Sequence, residues 1–377
     1  MLNYLLISLF ACTVSGSTSK PNFVIVLTDD QDVTIGGMTP MGNVQRFLAN
    51  EGVTFENSYV ASPICCPSRA SILTGLYVHN HNTVNNSLDG GCYGASWMAH
   101  ERRTFAAALN KAGYNTFYAG KYMNQYGVKE AGGPQRVPPG WSEWHGLDKH
   151  WLMSMAPTPL PGSLAPSLDH AYRSRWEALL AVDELVADLV GVLETRGLLD
   201  NTYFANLQFY FLFTGQFSQV YDKRQPYESD VRVPLVIRGP GIDKNTTSEL
   251  PVMNIDLAPT ILKLAGVEVP TYMDGHPIDL ENKEFKERVV LIEYHGEGHG
   301  SVSEDCPWKY DDINLSCFEE LYDLTADPYE LENVCEQTMP SLVLRYRGLL
   351  ARMRQCTGAN CEDPQPQSYY YPRNKCY

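Results

Sequence analysis

The chain has 377 residues, a formal net charge of −15 and ten cysteines, with 44% hydrophobic and 19% charged residues. That length carries one large domain, or a large and a small one, around a substantial core. The acidic balance, without a lysine- or arginine-rich run, excludes a nucleic-acid partner, whose phosphates need a dense basic face; an anionic ligand is still compatible with it wherever a few cations converge locally.

Taken in chain order, Met1 to Gly16 holds the apolar run "YLLISLFA" followed by small residues, which predicts a signal peptide over 1–16 and a mature start near Ser17. No later stretch approaches the roughly 20 apolar residues a spanning helix needs, so a soluble exported chain with no membrane partner is expected. Phe23 to Leu27 is continuously apolar and closes on "TDDQD", the signature of a buried parallel strand whose carboxyl end lies at Thr28 to Asp32. Polar groups in open α/β sheets collect at that end. A helix is predicted from about Gly42 to Asn50, then a strand in "GVTFENSYV", a helix in "RTFAAALNKAG" stopped by Gly113, and a strand in "NTFYAGKY". Residues 132–166 lack periodicity and read as loop. "SRWEALLAVDELVADLVGVLETRG" is the strongest helix, "PLVIRGPG" another buried strand, and "NIDLAPTILKLAGV" a further helix. Such alternation predicts a parallel sheet covered by helices. The boundaries expected are a catalytic domain over 17–267 and a smaller cysteine-rich subdomain over 268–377.

The cysteines fall at 12, 65, 66, 92, 306, 317, 335, 356, 361 and 376, a usage that implies an oxidising compartment. Losing Cys12 with the leader leaves an odd number, so at least one thiol stands outside the disulfides, and the remaining eight allow 105 pairings. Asn85, Asn245 and Asn314 each head an N-x-S/T acceptor for a glycan, as expected on the secretory route.

The chemistry centres on "ICCPSRASILTG", Ile64 to Gly75. A bare cysteine nucleophile needs a histidine or another source of thiolate stabilisation, and no neighbouring residue clearly supplies one. The pattern C-x-P-S-R followed by A-S-I-L-T-G resembles the signature of the type I sulfatases. The bland alternative is a turn carrying a disulfide. The resemblance implies an alkaline-phosphatase-like sulfatase fold, α/β, with a mostly parallel central sheet flanked by helices and a smaller C-terminal α+β subdomain. It implies that Cys65 becomes formylglycine, through a formylglycine-generating enzyme met during maturation. A hydrated aldehyde offers one hydroxyl to attack sulfur and a second to lose its proton and expel sulfate, whereas a serine would be left as a stable ester. It implies also that Asp29 and Asp30, with position 65, hold one divalent cation, Ca2+, whose preference for hard oxygens they match. Arg69, Lys121 in "YAGKYMN" and Lys223 in "YDKRQPYE" are the cations expected at the sulfate. Outside such a motif an aspartate pair is commonly a cap or turn, and an arginine or lysine a solvated charge. His79 and His81 in "YVHNHN" are candidates to line the pocket or to sit in a solvated loop, and their spacing does not suit zinc.

Further segments, "HNHNTVNNSLDGGC", "GKYMNQYG", "TGQFS", "DKRQPYE" and "YDLTADPYELENV", narrow the resemblance to the branch of sulfatases that removes 6-sulfate from N-acetylglucosamine in heparan and keratan sulfate. Sulfated glycosaminoglycan as substrate and a lysosomal or secreted location follow from that branch. Two departures stand beside it. Phe209 and Tyr210 occupy the places where relatives carry an aspartate and an asparagine of the metal shell, and "HGLDKHWLM", near 147–150, joins segments that relatives hold several dozen residues apart, without the P-H-x-P histidine between them. The alternative function is therefore an impaired sulfatase-like protein that binds sulfated glycan without turnover. A phosphoesterase centred on Ser68 is a third reading, disfavoured because Cys65 holds the nucleophile position. A local frame change or mis-splicing explains an apolar block as long as the segment it replaces; sequencing the transcript should then yield an Asp-Asn pair in place of Phe209-Tyr210, and a clean read of "LQFYFLF" refutes it.

Overall fold

The apolar run after Pro21 forms β1 (Asn22–Thr28). It leads to a short helix, α1 (Gly42–Val44), which widens into a π-helical turn at Gln45–Ala49, and to β2 (Val53–Phe55) and β3 (Ser58–Tyr59). Helices α2 (Cys65–Thr74), α3 (Val78–His81), α4 (Ala95–His100) and α5 (Phe105–Lys111) follow, then strands β4 (Phe117–Gly120) and β5 (Glu143–Gly146). The remainder runs α6 (Ala165–Thr195), β6 (Thr202–Gln208), α7 (Glu228–Val231), β7 (Leu235–Arg238), β8 (Thr246–Ser248), β9 (Val252–Met253), α8 (Leu257–Leu264) and α9 (Pro340–Met353). This computed structural model describes residues 20–29, 31–34, 36–124, 126–147, 165–208, 226–281, 288–296 and 319–362.

The main sheet has the order β1-β6-β7-β2-β8. β1 and β6 pair in parallel along their whole length, Asn22 with Thr202 through Thr28 with Gln208, and β2 pairs in parallel with β8. The expectation of a mostly parallel sheet meets a correction at β7, which runs antiparallel to both β6 and β2. Its register explains this: Leu235 at the start of β7 lies beside Leu207 at the end of β6, so the chain re-enters the sheet where it left and must run back. The apolar run "LVIR" could not reveal the direction, because a strand buried on both faces looks alike either way. A second difference is that "NTFYAGKY" does not join the main sheet. Its strand β4 pairs with β5, within the span read as loop, in a separate parallel ribbon.

Helices cover both faces. On one, Leu179, Val186 and Val190 of α6 pack against Val26, Leu48 and Phe204, filling the apolar stripe the sequence predicted. The carboxylate of Asp183 on α6 accepts hydrogen bonds from the backbone N–H groups of Asn43 and Val44, each at 2.8 Å, and so caps α1, whose own N-cap residue, Met41, gives no side-chain cap. On the other face Ala70 and Leu73 of α2, Phe105 and Leu109 of α5 and Ile261 and Leu262 of α8 share a cluster with Tyr93, Trp97, Tyr122 and Tyr126. α2 is buried all round and ends at Gly75, whose left-handed backbone (φ 69°) turns the chain; a Cβ there would press on Met273 and the Ile255 carbonyl.

One strand position conflicts with its surroundings. Asn206 in β6 is fully buried between Val26 and Val236, and neither polar atom of its carboxamide has a hydrogen-bond partner among the described residues. An unmade buried hydrogen bond costs about 1–3 kcal/mol. Asn206→Val should therefore stabilise the chain by about 1 kcal/mol or more in urea unfolding, and a loss of stability would mean that the carboxamide is satisfied in the folded protein.

Candidate active site

Three pieces of chain meet beyond the carboxyl end of β1. The first is the turn after that strand, where Thr28 Oγ1 donates to Gln31 Oε1 at 2.8 Å and Gln31 Nε2 donates to the Gly37 carbonyl at 3.0 Å, fixing the backbone on either side of Asp29. Arg175 of α6 ion-pairs with the buried Asp32 and secures the far side of the turn. The second is the start of α2, where Cys65 is 3% exposed and Arg69, one helical turn on, shares its face. The third is the segment after β4, carrying Lys121 and Asn124.

Asp29 is where they join. Its Oδ2 accepts from Lys121 Nζ at 2.6 Å and from Arg69 Nη2 at 3.2 Å, and Lys121 Nζ also lies 3.8 Å from Cys65 Sγ. Arg69 is only 2% exposed; its Nη1 donates to the Tyr122 carbonyl at 2.8 Å and to Asn124 Oδ1 at 3.1 Å. The backbone N–H of Asn124 lies 3.2 Å from Cys66 Sγ, which is bonded to Cys92. Aromatic packing holds the lysine segment: Tyr118 stacks on Trp144 with ring centres 4.7 Å apart, Tyr122 meets the same indole edge-on at 4.9 Å, and the Tyr118 hydroxyl donates to the Lys121 carbonyl. Two fixed cations and the positive end of α2 face one carboxylate, so the arrangement suits an anion with a nucleophile beside it.

Asp29, Cys65, Arg69 and Lys121 thus come together. Asp30, Lys223 and Asn314 lie outside the described residues, as do Phe209 and Tyr210. The histidines do something else. His81 is fully buried, with Nε2 3.0 Å from Ser71 Oγ and Nδ1 accepting the Thr83 N–H at 3.0 Å; burial pushes its pKa down to about 3, so it is a neutral core residue. His79 is held by Glu293 at 2.9 Å. Ser68 is buried and accepts from Asn254 Nδ2 at 3.0 Å. Among the glycan acceptors, Asn245 is exposed, whereas Asn85 is buried with its Oδ1 accepting from Ser87 Oγ at 2.7 Å. Met123 and Asn124 follow Lys121 where many members of the resembled family carry a histidine, and the sequence assigned Asn124 no role of its own.

A hard carboxylate at a strand end suits a divalent cation, but among the described residues no group of three His, Cys, Asp or Glu side chains could hold one. Asp29 alone is one donor, and its Oδ2 already faces two cations, so no step below is routed through a metal. No described helix is long and apolar enough to cross a membrane.

The family model described as Sulfatase matches residues 21–137 and 127–267, and a model described as the C-terminal region of N-sulphoglucosamine sulphohydrolase matches 215–355. N-acetylglucosamine-6-sulfatase of Homo sapiens is 35% identical over 93% of this chain and 87% of its own length. That alignment has 485 positions, while 93% of 377 residues is about 351, so about 134 positions of the relative have no counterpart here. A putative extracellular sulfatase of Caenorhabditis elegans is 30% identical over 73% of this chain and 51% of its own. Among solved structures, a protein in complex with its substrate D-glucosamine-2-N,6-O-disulfate shares the fold, with a TM-score of 0.65 and 20% identity over 89% of this chain and 98% of the other.

Asp29→Asn keeps the shape at the junction and removes the charge facing Arg69 and Lys121. Breaking a buried pair by removing one partner costs about 3–5 kcal/mol; with Asp29 31% exposed the expected loss is nearer 2 kcal/mol in urea unfolding, and a variant within about 0.5 kcal/mol of the parent contradicts the junction.

Proposed function

The chain belongs to the sulfatase family, and on that premise we propose that it removes the 6-sulfate from N-acetylglucosamine residues of heparan or keratan sulfate, with a formylglycine made from Cys65 as nucleophile. The observation that carries this reading is the convergence of Lys121 and Arg69 on Asp29 at the Cys65 end of α2. In the structure Cys65 Sγ stands where the hydrated aldehyde would project its two hydroxyls.

One hydroxyl oxygen attacks sulfur, the bond from sulfur to the sugar oxygen breaks, and the sugar leaves as its alcohol after taking up a proton. The second hydroxyl then loses its proton, its oxygen re-forms the carbonyl, and the bond from carbon to the sulfated oxygen breaks to expel sulfate. Water adds to the aldehyde and restores the nucleophile. The Lys121 ammonium, 3.8 Å from Cys65 Sγ, is the cation proposed to hold the sulfate and to offset charge on the leaving oxygen. Arg69 stays charged because its guanidinium cannot lose a proton in a protein, and it fixes Asp29 and the lysine segment relative to position 65. Lys223 is a second cation proposed at the sulfate. Asp29 and Asp30, with the oxygen carried at position 65, are the residues that would hold a calcium ion, which when bound polarises the sulfate.

Cys65 is buried inside a helix, so its oxidation is assigned to a formylglycine-generating enzyme acting in the secretory route, and delivery to the lysosome completes the proposal. Mass spectrometry of the peptide containing Cys65 should show the loss of sulfur expected for an aldehyde. Hydrolysis of a chromogenic sulfate ester at acidic pH should fall by about 10³-fold or more in Cys65→Ala. Aldehyde without hydrolysis would support the glycan-binding, impaired alternative, and a retained thiol would overturn the formylglycine mechanism.

A further inference from the structure

Away from Cys65, three pieces of chain meet at His79 on α3. Its Nδ1 lies 2.9 Å from Glu293 Oε2 and its Nε2 lies 2.9 Å from the Cys356 carbonyl, while its ring stacks on Tyr77 at 5.8 Å. Both ring nitrogens thus face acceptors, which only the doubly protonated imidazolium satisfies. Asn80 Nδ2 is 3.2 Å from Nε2, but its two hydrogens are taken by Asp274 Oδ2 at 2.8 Å and the Cys356 carbonyl at 2.9 Å, leaving none for a neutral ring.

We propose that His79, Glu293 and the Cys356 carbonyl form an acid-strengthened clasp, which fastens the strap 288–296 and the disulfide-closed turn 356–361 to α3 and loosens toward neutral pH. The strap's other fixings do not depend on a histidine: Glu293 N–H donates to the Ala61 carbonyl at 2.9 Å, and Arg288 pairs with the buried Asp256. The turn is closed by Cys356–Cys361 and anchored by the Gly358 N–H on Asp274 Oδ1 at 2.7 Å. The link between strap, turn and helix runs instead through the His79 imidazole.

The charged neighbours agree. Burial alone would lower the pKa of His79, but the hydrogen bond and charge of Glu293, the Cys356 carbonyl and the Asp274 carboxylate raise it on balance. His81 is neutral and adds little opposing charge, and His295, 3.8 Å from Glu293 Oε1, shares its carboxylate. Burial pushes Glu293 upward, yet His295 and His79 bring it down to about 2. A raised histidine contributes stability that is complete below its unfolded value of 6.5 and is lost as pH rises through the folded one. A lowered glutamate contributes stability complete above 4.5 and lost as pH falls toward 2. The clasp is therefore at full strength between pH 4.5 and 6.5.

Hydrogen exchange of the full chain, corrected for the intrinsic pH dependence of amides, tests this without reference to activity. Peptides covering 288–296 and 356–361 should open about threefold faster or more at pH 7.5 than at pH 5.5. His79→Gln should show the faster opening at both pH values, Glu293→Gln the same, and His145→Gln, which alters an exposed pair with Glu143 on the separate ribbon, should keep the parent's response. Protection in the parent that ignores pH overturns the clasp even if the variants fail to fold, as does a His79→Gln chain with the parent's pH response.

Discussion

A guanidinium sealed from water cannot be left without counter-charge, and Arg69 meets that demand by drawing partners from two distant parts of the chain to its own helix. Asp29 follows the first strand, Cys65 begins the helix that carries the arginine itself, and Tyr122 and Asn124 follow β4. Taking such an ion out of water costs several kcal/mol, repaid only when geometry and hydrogen bonding are good. The consequence is positional. Each partner is fixed because the arginine tolerates little displacement, so Lys121 is delivered to within reach of position 65 by a requirement that is first of all one of solvation.

The sheet places this junction where it is. β1 and β6 run side by side and end together at Thr28 and Gln208, so the segments beyond them emerge at the same edge. Two apolar faces held by α6 on one side and by α2, α5 and α8 on the other keep those ends from moving. The aromatic stack of Tyr118, Tyr122 and Trp144 does for the lysine segment what the sheet does for Asp29, because β4 belongs to a separate ribbon and needs its own support. Phe209 and Tyr210, next in the sequence, offer no side-chain carboxylate or amide oxygen.

What could be read in advance was whatever depends on local pattern. Phe23 to Leu27 announced a strand by hydrophobicity alone, and the residues from Ser174 to Arg196 announced a helix by their period. Cys65, Arg69, Lys121 and Asp29 were legible because a short motif fixes chemistry as well as shape. Illegible features depend on partners far along the chain. The direction of β7 is set by where the chain re-enters the sheet, the strand β5 by pairing with β4, and the role of Asn124 by an arginine 55 residues away. His79 and His81 are close in sequence and unlike in state, one charged against Glu293 and one neutral in the core; nothing in "HNH" distinguishes them until the strap and α2 are in place.

The complete burial of α2 has a bearing on timing. On the proposed chemistry the side chain at position 65 must be altered by an enzyme, and at 3% exposure in the folded chain it is reached most easily while the segment is still open. Cys66 is meanwhile committed to Cys92, so one sulfur of the adjacent pair is withdrawn into the scaffold and the other left for conversion. On that proposal maturation is a race between an enzyme reaching an extended segment and the segment closing over, and a molecule that closes too early would keep its thiol.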